Sequence, residues 1–491
     1  MWTTVFLSIS LLSISSACNL HPSSSLETGI VCRVTKPAAL VLNEQTAQVI
    51  QAAFKHATFP DITGEKSVRY MGKVAYNLSN IKVSNLTISS SDVDLREDEA
   101  INIMIRNVSA TFSGTLSYEL GAFFMTIENS IDFEIYSSTD LEVNNKLTCR
   151  NNRIAADTSD CYLTFNEFLL HLHGDKQPGW LMQLFTNFIS FTVKLVIKGQ
   201  ICKEINHVAN LLAHFIQERA EDFLSDGDIG VNIDVTSFPV IKGSYMESHH
   251  KGLLRYKNVS SSFNSSTFSP SLLTDHKMLY FWFSEHVLNS LALASFLDKR
   301  LVLELKGGDL KEILEKESQW KPLQQIFQES SLDNSLTRVW SLTPPEIRVI
   351  PKGTLVISSV AVQLKTSLDE SVATLYFEAD VNATVQASFA DKKLILHLVD
   401  SIVHIKEWKS SLLIHEQSTM RPFLHKIVSL CGIPAVIKRL EPALTSIMNS
   451  KQLDLFTIIN PEIIPHEGYL VVQLDFGFPH HLLVDFLKRS L

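Results

Sequence analysis

Residues 101–106 read INIMIR and residues 131–136 read IDFEIY, with an apolar side chain at every second position. This alternation is typical of a strand that buries one face and exposes the other. It returns in the second half of the chain, where residues 375–382 read LYFEADVN. The alternating stretches predict one antiparallel meander of strands in each half.

Helical stretches flank both meanders. Their apolar residues recur at three- and four-residue steps, which is the spacing of one buried helix face. The predicted helices cover 36–57, 178–224, 284–297 and 419–448. The last is expected to break near Gly432–Pro434, and a final strand is expected at 469–476. Each half reads helix, meander, long helix and strand, which predicts an α+β protein of two similar modules.

The composition limits the kinds of partner. Apolar residues make up 45% of the 491 positions and charged residues 19%, against roughly 25% charged residues in average soluble domains. A chain so poor in charge has either a large core or an apolar ligand. The net charge of −9 argues against nucleic acid, which needs a dense set of lysines and arginines.

The amino terminus indicates secretion. Residues 1–17 hold a short apolar region and end on small residues, so they are expected to be a signal peptide cleaved after Ala17. The uncharged stretch 177–193 is interrupted by Gln183 and Asn187, whereas a transmembrane helix needs about 20 mostly apolar residues. We therefore expect an extracellular protein with no transmembrane segment.

Sequons and cysteines agree with secretion. Sequons for N-glycosylation occur at Asn77, Asn85, Asn107, Asn258, Asn264 and Asn382. Cysteines occur at Cys18, Cys32, Cys149, Cys161, Cys202 and Cys431. Six cysteines are too few for a disulfide scaffold of this length, and one bridge with the rest buried is plausible. The residues alone leave the pairing open.

Two short segments could contact a lipid surface. At the carboxyl terminus, Leu483, Phe486 and Leu487 share one face of a predicted amphipathic helix over 479–491. Such a helix can lie on lipid or cover a groove, and it can equally be an ordinary packed helix. Phe123 and Phe124 interrupt the first meander, and they form either an exposed apolar tip or a strand edge with one ring buried.

Motifs for catalysis are absent from the sequence. No pair of glycines has the spacing of the G-x-S-x-G nucleophile elbow, and neither H-E-x-x-H nor C-x-x-C occurs. Ser248 and His250 would share one face of a strand. They are the only residues that would support a lipid hydrolase or acyltransferase. His171 and His173 form a pair without a third metal ligand. We expect no enzyme activity, no cofactor and no metal. A passive structural protein that binds lipid particles without moving lipid between them is a further alternative.

Several stretches resemble one family. They are GIVCRVTKP at 29–37, FPDITGEK at 59–66, KGQICKEIN at 198–206, ESHHKG at 247–252 and DFGFP at 475–479. These residues resemble the family of bactericidal/permeability-increasing, lipopolysaccharide-binding and phospholipid transfer proteins. Within that family, the resemblance is to members that transfer neutral lipid. It covers nearly the whole chain after residue 17.

The resemblance implies an elongated boomerang of two similar barrels, each a twisted antiparallel sheet with long helices, joined by a central sheet. The implied order is the signal peptide (1–17), the N-terminal barrel with part of the central sheet (18–257), a serine-rich linker (258–277), the C-terminal barrel with the rest of the central sheet (278–478), and a lid helix (479–491).

The resemblance also implies an apolar tunnel that holds cholesteryl ester and triglyceride, with phospholipids at its openings, and exchange of these lipids between high- and low-density lipoprotein particles. Cys32 would line the tunnel, and Gln217, Arg219, Ser248 and His250 would be polar lipid contacts. Phe123 and Phe124 would be the tip that contacts lipoproteins. Cys161 and Cys202 would form a disulfide. Asn107 and Asn258 would carry glycans, and Asn382 is a further candidate. The alternative is phospholipid transfer or lipopolysaccharide binding.

Overall fold

The computed structural model describes residues 18, 20–44, 46–68, 72–122, 125–173, 179–263, 265–307, 335–365, 374–410, 417–450 and 457–477. The predicted signal peptide, the tip at Phe123 and Phe124 and the predicted lid helix at 479–491 lie outside the described residues.

The chain enters through a short 3-10 turn, Pro22–Glu27, and strand β1, Ile30–Thr35. Helices α1, Lys36–Asn43, and α2, Thr46–His56, follow. The prediction of one helix over 36–57 was therefore wrong, because α1 ends at Asn43. Ala38 and Ala39 are buried in α1, and Ile50 and Phe54 in α2, so two separate helices supply the apolar positions that suggested a single one.

The first module is one antiparallel sheet, with strand order β2-β3-β5-β6-β7 and β4 paired to β5. Its strands are β2 (Ile62–Val68), β3 (Gly72–Thr87), β4 (Ser90–Arg96), β5 (Ala100–Ala122), β6 (Met125–Arg150) and β7 (Arg153–Leu172). The predicted meander is confirmed, and β5 and β6 are far longer than average strands of about 5–6 residues. Strands of this length curl because twist accumulates along them.

A long helical stretch crosses this sheet. Helix α3, Gly179–Leu184, continues through a wider π turn, Phe185–Ile189, into α4, Ser190–Leu224. Its apolar face closes the first core, in which Phe185, Ile197 and Val208 pack against Phe112 and Phe133 from the sheet. The predicted helix over 178–224 is confirmed.

Short strands then lead to the second half. They are β8 (Ile229–Val231), β9 (Val240–Ile241), β10 (Tyr245–His250), β11 (Leu254–Tyr256) and β12 (Val259–Ser260). A 3-10 turn at Pro270–Leu272, strand β13 (Leu279–Ser284) and helix α5 (Glu285–Leu297) follow.

The second module repeats the design of the first. Its sheet has the order β14-β15-β17-β18-β19, with β16 paired to β17. The strands are β14 (Val302–Lys306), β15 (Leu336–Ser341), β16 (Glu346–Ile350), β17 (Gly353–Lys365), β18 (Thr374–Ala390) and β19 (Lys393–Ser410). The predicted alternation at 375–382 is thus confirmed as β18, with Leu375, Phe377 and Ala379 buried.

Helix α6, Gln417–Lys426, continues through a second π turn, Ile427–Gly432, into α7, Ile433–Ser450. The expected break near Gly432–Pro434 was wrong, because the wide turn accommodates Pro434, which has no N–H to donate. The stretch Met420–Pro442 has the length and apolar composition of a membrane-crossing helix, with a third of its most apolar window buried. Leu424 and Val428 of this stretch pack into the second core.

Two strands finish the described chain, β20 (Thr457–His466) and β21 (Tyr469–Gly477). They join β13, β1, β10 and β9 in a central antiparallel sheet with the order β20-β21-β13-β1-β10-β9. Strand β1 from the first half therefore lies between β10 and β13. The α+β fold of two similar modules on a shared sheet agrees with the prediction.

Candidate functional site

The central sheet has two unlike faces, because successive residues of a strand point in opposite directions. In β1, Arg33 pairs with Glu247 of β10, and Cys32 pairs with Ser248. We call the side that carries Arg33 the closed face and the side that carries Cys32 the open face.

The closed face is covered by residues 268–274, which we call the strap. Arg33 donates to Glu247 Oε2 from Nε at 2.8 Å and from a terminal nitrogen at 2.6 Å. It also donates to the backbone oxygens of Leu273 at 2.7 Å and Pro270 at 2.8 Å. Both charged side chains are buried, with 3% and 1% of their surfaces exposed. The strap is therefore fastened to the sheet by a buried ion pair.

Neighbouring groups complete this ion pair. The Arg33 guanidinium lies 3.9 Å from the centre of the Tyr245 ring, and His249 Nε2 lies 2.7 Å from Glu247 Oε1. Desolvation opposes ionisation of Glu247, but its hydrogen bonds to His249 and Arg33 outweigh it and lower the pKa of the carboxyl. Removing one member of such a buried pair typically costs about 3–5 kcal/mol, so the closed face fixes the register of β1 against β10.

The open face is a row of mostly apolar side chains that stay half-buried. Cys32 aligns with Phe281 of β13, which aligns with Val472 of β21, which aligns with Ile463 of β20. All four are only partly covered. This face crosses strands of both halves, so it forms a continuous apolar surface between the two modules.

Cys32 shows what kind of space this face borders. The side chain is only half-buried, yet burial raises the pKa of its thiol to about 12, with a smaller contribution from the charge of Glu247. A thiol facing bulk water would titrate near the ordinary value of about 8.5. The thiol therefore lies deep among protein atoms although part of its surface stays uncovered.

Ser248 and His250 place one polar pair on this face. His250 Nδ1 lies 2.8 Å from the Ile233 backbone oxygen, and His250 Nε2 lies 3.0 Å from Ser248 Oγ. Because the carbonyl can only accept, Nδ1 carries the proton and Ser248 donates to Nε2. Burial lowers the pKa of His250, so the imidazole is neutral. A hydrolytic triad instead orients its histidine with a carboxylate that stabilises the imidazolium, so this geometry suits hydrogen bonding to a ligand better than catalysis.

Gln217 belongs to a different feature, the contact line between α4 and the edge strand β7, which we call the first seam. Its Oε1 accepts from Ile154 N at 2.9 Å, and its Nε2 donates to Ile154 O at 2.8 Å. Asn210 binds both backbone groups of Ala156 in the same way, and Asn206 accepts from Thr158 N. A disulfide between Cys161 and Cys202 continues the seam.

The predicted site residues therefore fall into groups. Cys32, Ser248 and His250 come together on the open face. Gln217 binds the backbone of the edge strand β7 and is not on this face. Its partner Ile154 is next to Arg153, and the charge of Arg153 helps to lower the pKa of His250. Arg219 is exposed, 3.7 Å from Asp222. The roles given to Gln217 and Arg219 stay predictions.

The glycan candidates differ in exposure, with Asn107 and Asn258 exposed and Asn382 half-buried in β18. Their glycosylation stays a prediction.

Sequence reasoning missed two features. A second disulfide joins Cys18 to Cys149, and spacing carries no signal for a bridge across 131 residues. The Arg33–Glu247 pair was also missed, although a charged residue at an alternate position of a strand within an apolar sheet could have indicated it. Within the described residues, no group of three or more histidine, cysteine, aspartate or glutamate side chains could hold a metal ion.

Known proteins resemble the chain over its full length. The family models for the N-terminal and C-terminal domains of the LBP / BPI / CETP family match residues 39–214 and 224–478. The cholesteryl ester transfer protein of Gallus gallus is 52% identical, over 97% of this chain and 96% of its own. That of Homo sapiens is 50% identical, over 99% of both chains.

More distant proteins match less. The lipopolysaccharide-binding protein of Mus musculus is 22% identical over 55% of this chain and 56% of its own. A crystal structure of lipopolysaccharide binding protein aligns over 92% of this chain and 99% of its own, with 16% identity and a TM-score of 0.49. The two family models together span most of the chain. Its relatives are about half identical along the full length. The chain therefore belongs to the LBP / BPI / CETP family.

Proposed function

We propose that this protein is a secreted carrier that exchanges cholesteryl ester and triglyceride between plasma lipoprotein particles. The observation that carries the proposal is the half-buried apolar row on the open face, where the Cys32 thiol is desolvated without being fully covered. The names of relatives about half identical over the full length support the choice of neutral lipid.

The physical task of such a carrier is to keep an ester out of water. Exposing one CH₂ group to water costs about 0.8 kcal/mol, so an acyl chain and a sterol cannot cross freely between particles. Cys32, Phe281 and Val472 line up across strands of both halves. A dry path along this row would let cargo move between the modules without meeting water.

Ser248 and His250 would supply the polar end of this path. The Ser248 hydroxyl can keep its bond to His250 Nε2 while its oxygen accepts, or it can turn to donate to an ester or phosphate oxygen of a lipid. The neutral state of His250 avoids placing a charge in an apolar passage. Leu483, Phe486 and Leu487 would form a lid, and Phe123 and Phe124 a tip that enters the particle.

The transfer needs no covalent step, cofactor or metal, since the concentration gradient of the lipid drives it. The acyl bond would stay intact because His250 is oriented by a backbone carbonyl, which does not stabilise the imidazolium that acyl transfer needs.

The first test is the lipid that the purified protein carries. Organic extraction and mass spectrometry of the secreted protein should release cholesteryl ester together with phospholipid. Phospholipid alone would favour phospholipid transfer, and no lipid would mean that the open face is ordinary core.

The second test uses transfer of labelled ester between particles. Cys32→Trp should place a large ring on the open face, obstruct the proposed path and lower the transfer rate at least tenfold. The exposed Ile402 lies on β19, a strand of the second module's sheet and not of the central sheet, so Ile402→Trp is a matched control that should transfer normally. Equal transfer by both variants would contradict the proposed path.

A further inference from the structure

The first seam changes character at its disulfide. The α4 face that carries Asn210 and Asn206 continues at three- and four-residue steps through Cys202 to Leu195 and Phe191. Apolar side chains cannot bind the backbone of an edge strand, so this part of α4 does not cap β7. Leu195 is 54% exposed and Phe191 is 67% exposed, which is unusual for large apolar side chains four residues apart on one helix face.

Lysines flank these two side chains. Lys194 Nζ lies 4.8 Å from the centre of the Phe168 ring, and Lys198 Nζ lies 5.6 Å from that of Tyr162. Tyr162 itself is 51% exposed. Residues 179–203 contain three lysines and no aspartate or glutamate, in a chain whose net charge is −9. This end of α4 is therefore locally cationic against an acidic background.

Exposed aromatic and aliphatic side chains bordered by lysines match the chemistry of a phospholipid surface. Phenylalanine and leucine enter the acyl region, tyrosine sits at the headgroups, and lysine stems reach back to phosphate. A negatively charged lipid surface attracts each nearby lysine. Charge and apolarity thus favour the same occupant, whereas a second copy of this acidic chain would be repelled.

We propose that Phe191, Leu195, Tyr162, Lys194 and Lys198 form a docking face that binds the phospholipid surface of a lipid particle. The docking face lies on the side of the first module, along α4 and β7, and it needs neither the predicted tip nor the predicted lid. It deepens the proposed function, on which it rests for the identity of the particle, by giving the carrier a way to lie against its donor.

The same helix provides a matched control. Ile216 is 65% exposed on α4, but residues 217–222 contain three acidic side chains, Glu218, Glu221 and Asp222, against one cation, Arg219. The docking face and Ile216 expose similar apolar surface on one element, and they differ in the sign of the surrounding charge.

The experiment is flotation of the full-length protein with vesicles of phosphatidylcholine alone and of phosphatidylcholine with phosphatidylserine. The double variant Phe191→Ser/Leu195→Ser should weaken binding to both vesicles at least tenfold, since burying each side chain contributes more than the roughly 1.4 kcal/mol that equals a factor of ten. Ile216→Ser should bind like the wild type. Lys194→Gln/Lys198→Gln should lose affinity mainly for the vesicles with phosphatidylserine, and its binding should depend less on salt.

The outcomes separate the docking face from the carrier function. Wild-type protein that does not float, a double variant that floats normally, or an equal loss in Ile216→Ser would each overturn the docking face. Gel filtration showing a wild-type dimer that the double variant abolishes would assign the surface to a second copy. The double variant should still release ester on organic extraction, because the open face is untouched. Absence of ester from the wild type would instead count against the proposed function.

Discussion

The two modules use the same long-helix design and fasten it differently. In the first seam, Gln217 and Asn210 each bind both the N–H and the carbonyl of one β7 residue, and a disulfide continues the line. In the second module, the described side chains of α7 that bind the edge strand β19 do so as acceptors. Glu441 Oε1 accepts from Leu396 N at 2.6 Å, and Thr445 Oγ1 accepts from Leu394 N at 3.0 Å. We call this contact the second seam.

The difference shows what an edge strand needs. An amide side chain can bind a backbone N–H and a backbone carbonyl together, as another strand would. The first seam therefore satisfies both the donors and the acceptors of the β7 edge that it contacts. A carboxylate or an accepting hydroxyl satisfies N–H groups alone. We therefore expect the second helix to separate from its sheet more readily than the first.

The largest expected effect comes from removing the bridge. Cys161→Ala/Cys202→Ala opens a loop of 41 residues, which should destabilise the first module by about 4 kcal/mol on the chain-entropy estimate. Hydrogen–deuterium exchange should then rise along β7 and α4 while β19 is unchanged. Unchanged exchange along β7 would mean that the amides alone hold the first seam.

Gln217→Leu should have the next largest effect. It removes the two bonds to Ile154 and one to Ala213 O, at about 2 kcal/mol in total, given roughly 0.5–1.5 kcal/mol for each net hydrogen bond. Gln217→Glu keeps the bond from Ile154 N but loses both donated bonds, to Ile154 O and Ala213 O. Most of the loss should therefore remain, and the first seam should come to resemble the second. Urea unfolding measures both, and a Gln217→Glu variant as stable as the wild type would contradict the importance of the donor.

Acid should loosen the sheet that both modules share. The pKa of His250 is lowered, so below about pH 6.5 the unfolded chain binds this proton more readily than the folded one, and stability falls as the pH falls. The pKa of Glu247 is also lowered, so its stabilising contribution is present above its unfolded value of about 4.3 and is lost as the pH falls below it. Urea midpoints followed against pH should decline in these two steps.

His250→Gln serves as the control for that titration. It should remove the step near neutral pH and leave the acidic step, whereas an unchanged profile would assign the first step to another group.

The smallest effect is expected in the second seam. Glu441→Gln keeps an oxygen that accepts from Leu396 N and adds a donor, so the stability should change by less than about 1 kcal/mol. Glu441→Leu removes the acceptor and should raise hydrogen exchange at Leu396. A large loss in Glu441→Gln would show that the charge, and not the acceptor, holds this helix.

Much of the fold could be predicted from the residues. The alternation of Leu375, Phe377 and Ala379 identified a strand that the structure confirms, and the helical spacing over 178–224 was sufficient to place α4. Strand β20 escaped notice because Pro461 and Pro465 interrupt its pattern. These prolines are tolerated because β20 is at the end of the strand order in the central sheet.

The site was harder to predict, since it depends on contacts between distant residues. Cys32 and Ser248 came from a family resemblance, and spacing does not bring them opposite each other. In the sequence, Asn206, Asn210 and Gln217 look like polar residues on the solvated face of a helix. Nothing in the sequence of β7 indicates that its backbone groups are bound by these side chains. Amide side chains at helical spacing become informative only once an edge strand is known to lie beside them.

The position of β1 in the central sheet has a consequence for synthesis. Ile30 pairs with Phe283, so one neighbour of β1 leaves the ribosome roughly 250 residues later, which is about 10–50 s at ordinary translation rates of about 5–20 residues per second. Until β10 and then β13 emerge, the nascent chain presents an apolar strand with open edges near its amino terminus, which invites wrong pairing with other chains. One edge of β1 stays open until the second half arrives, and yield from cells should depend on chaperones that shield this strand.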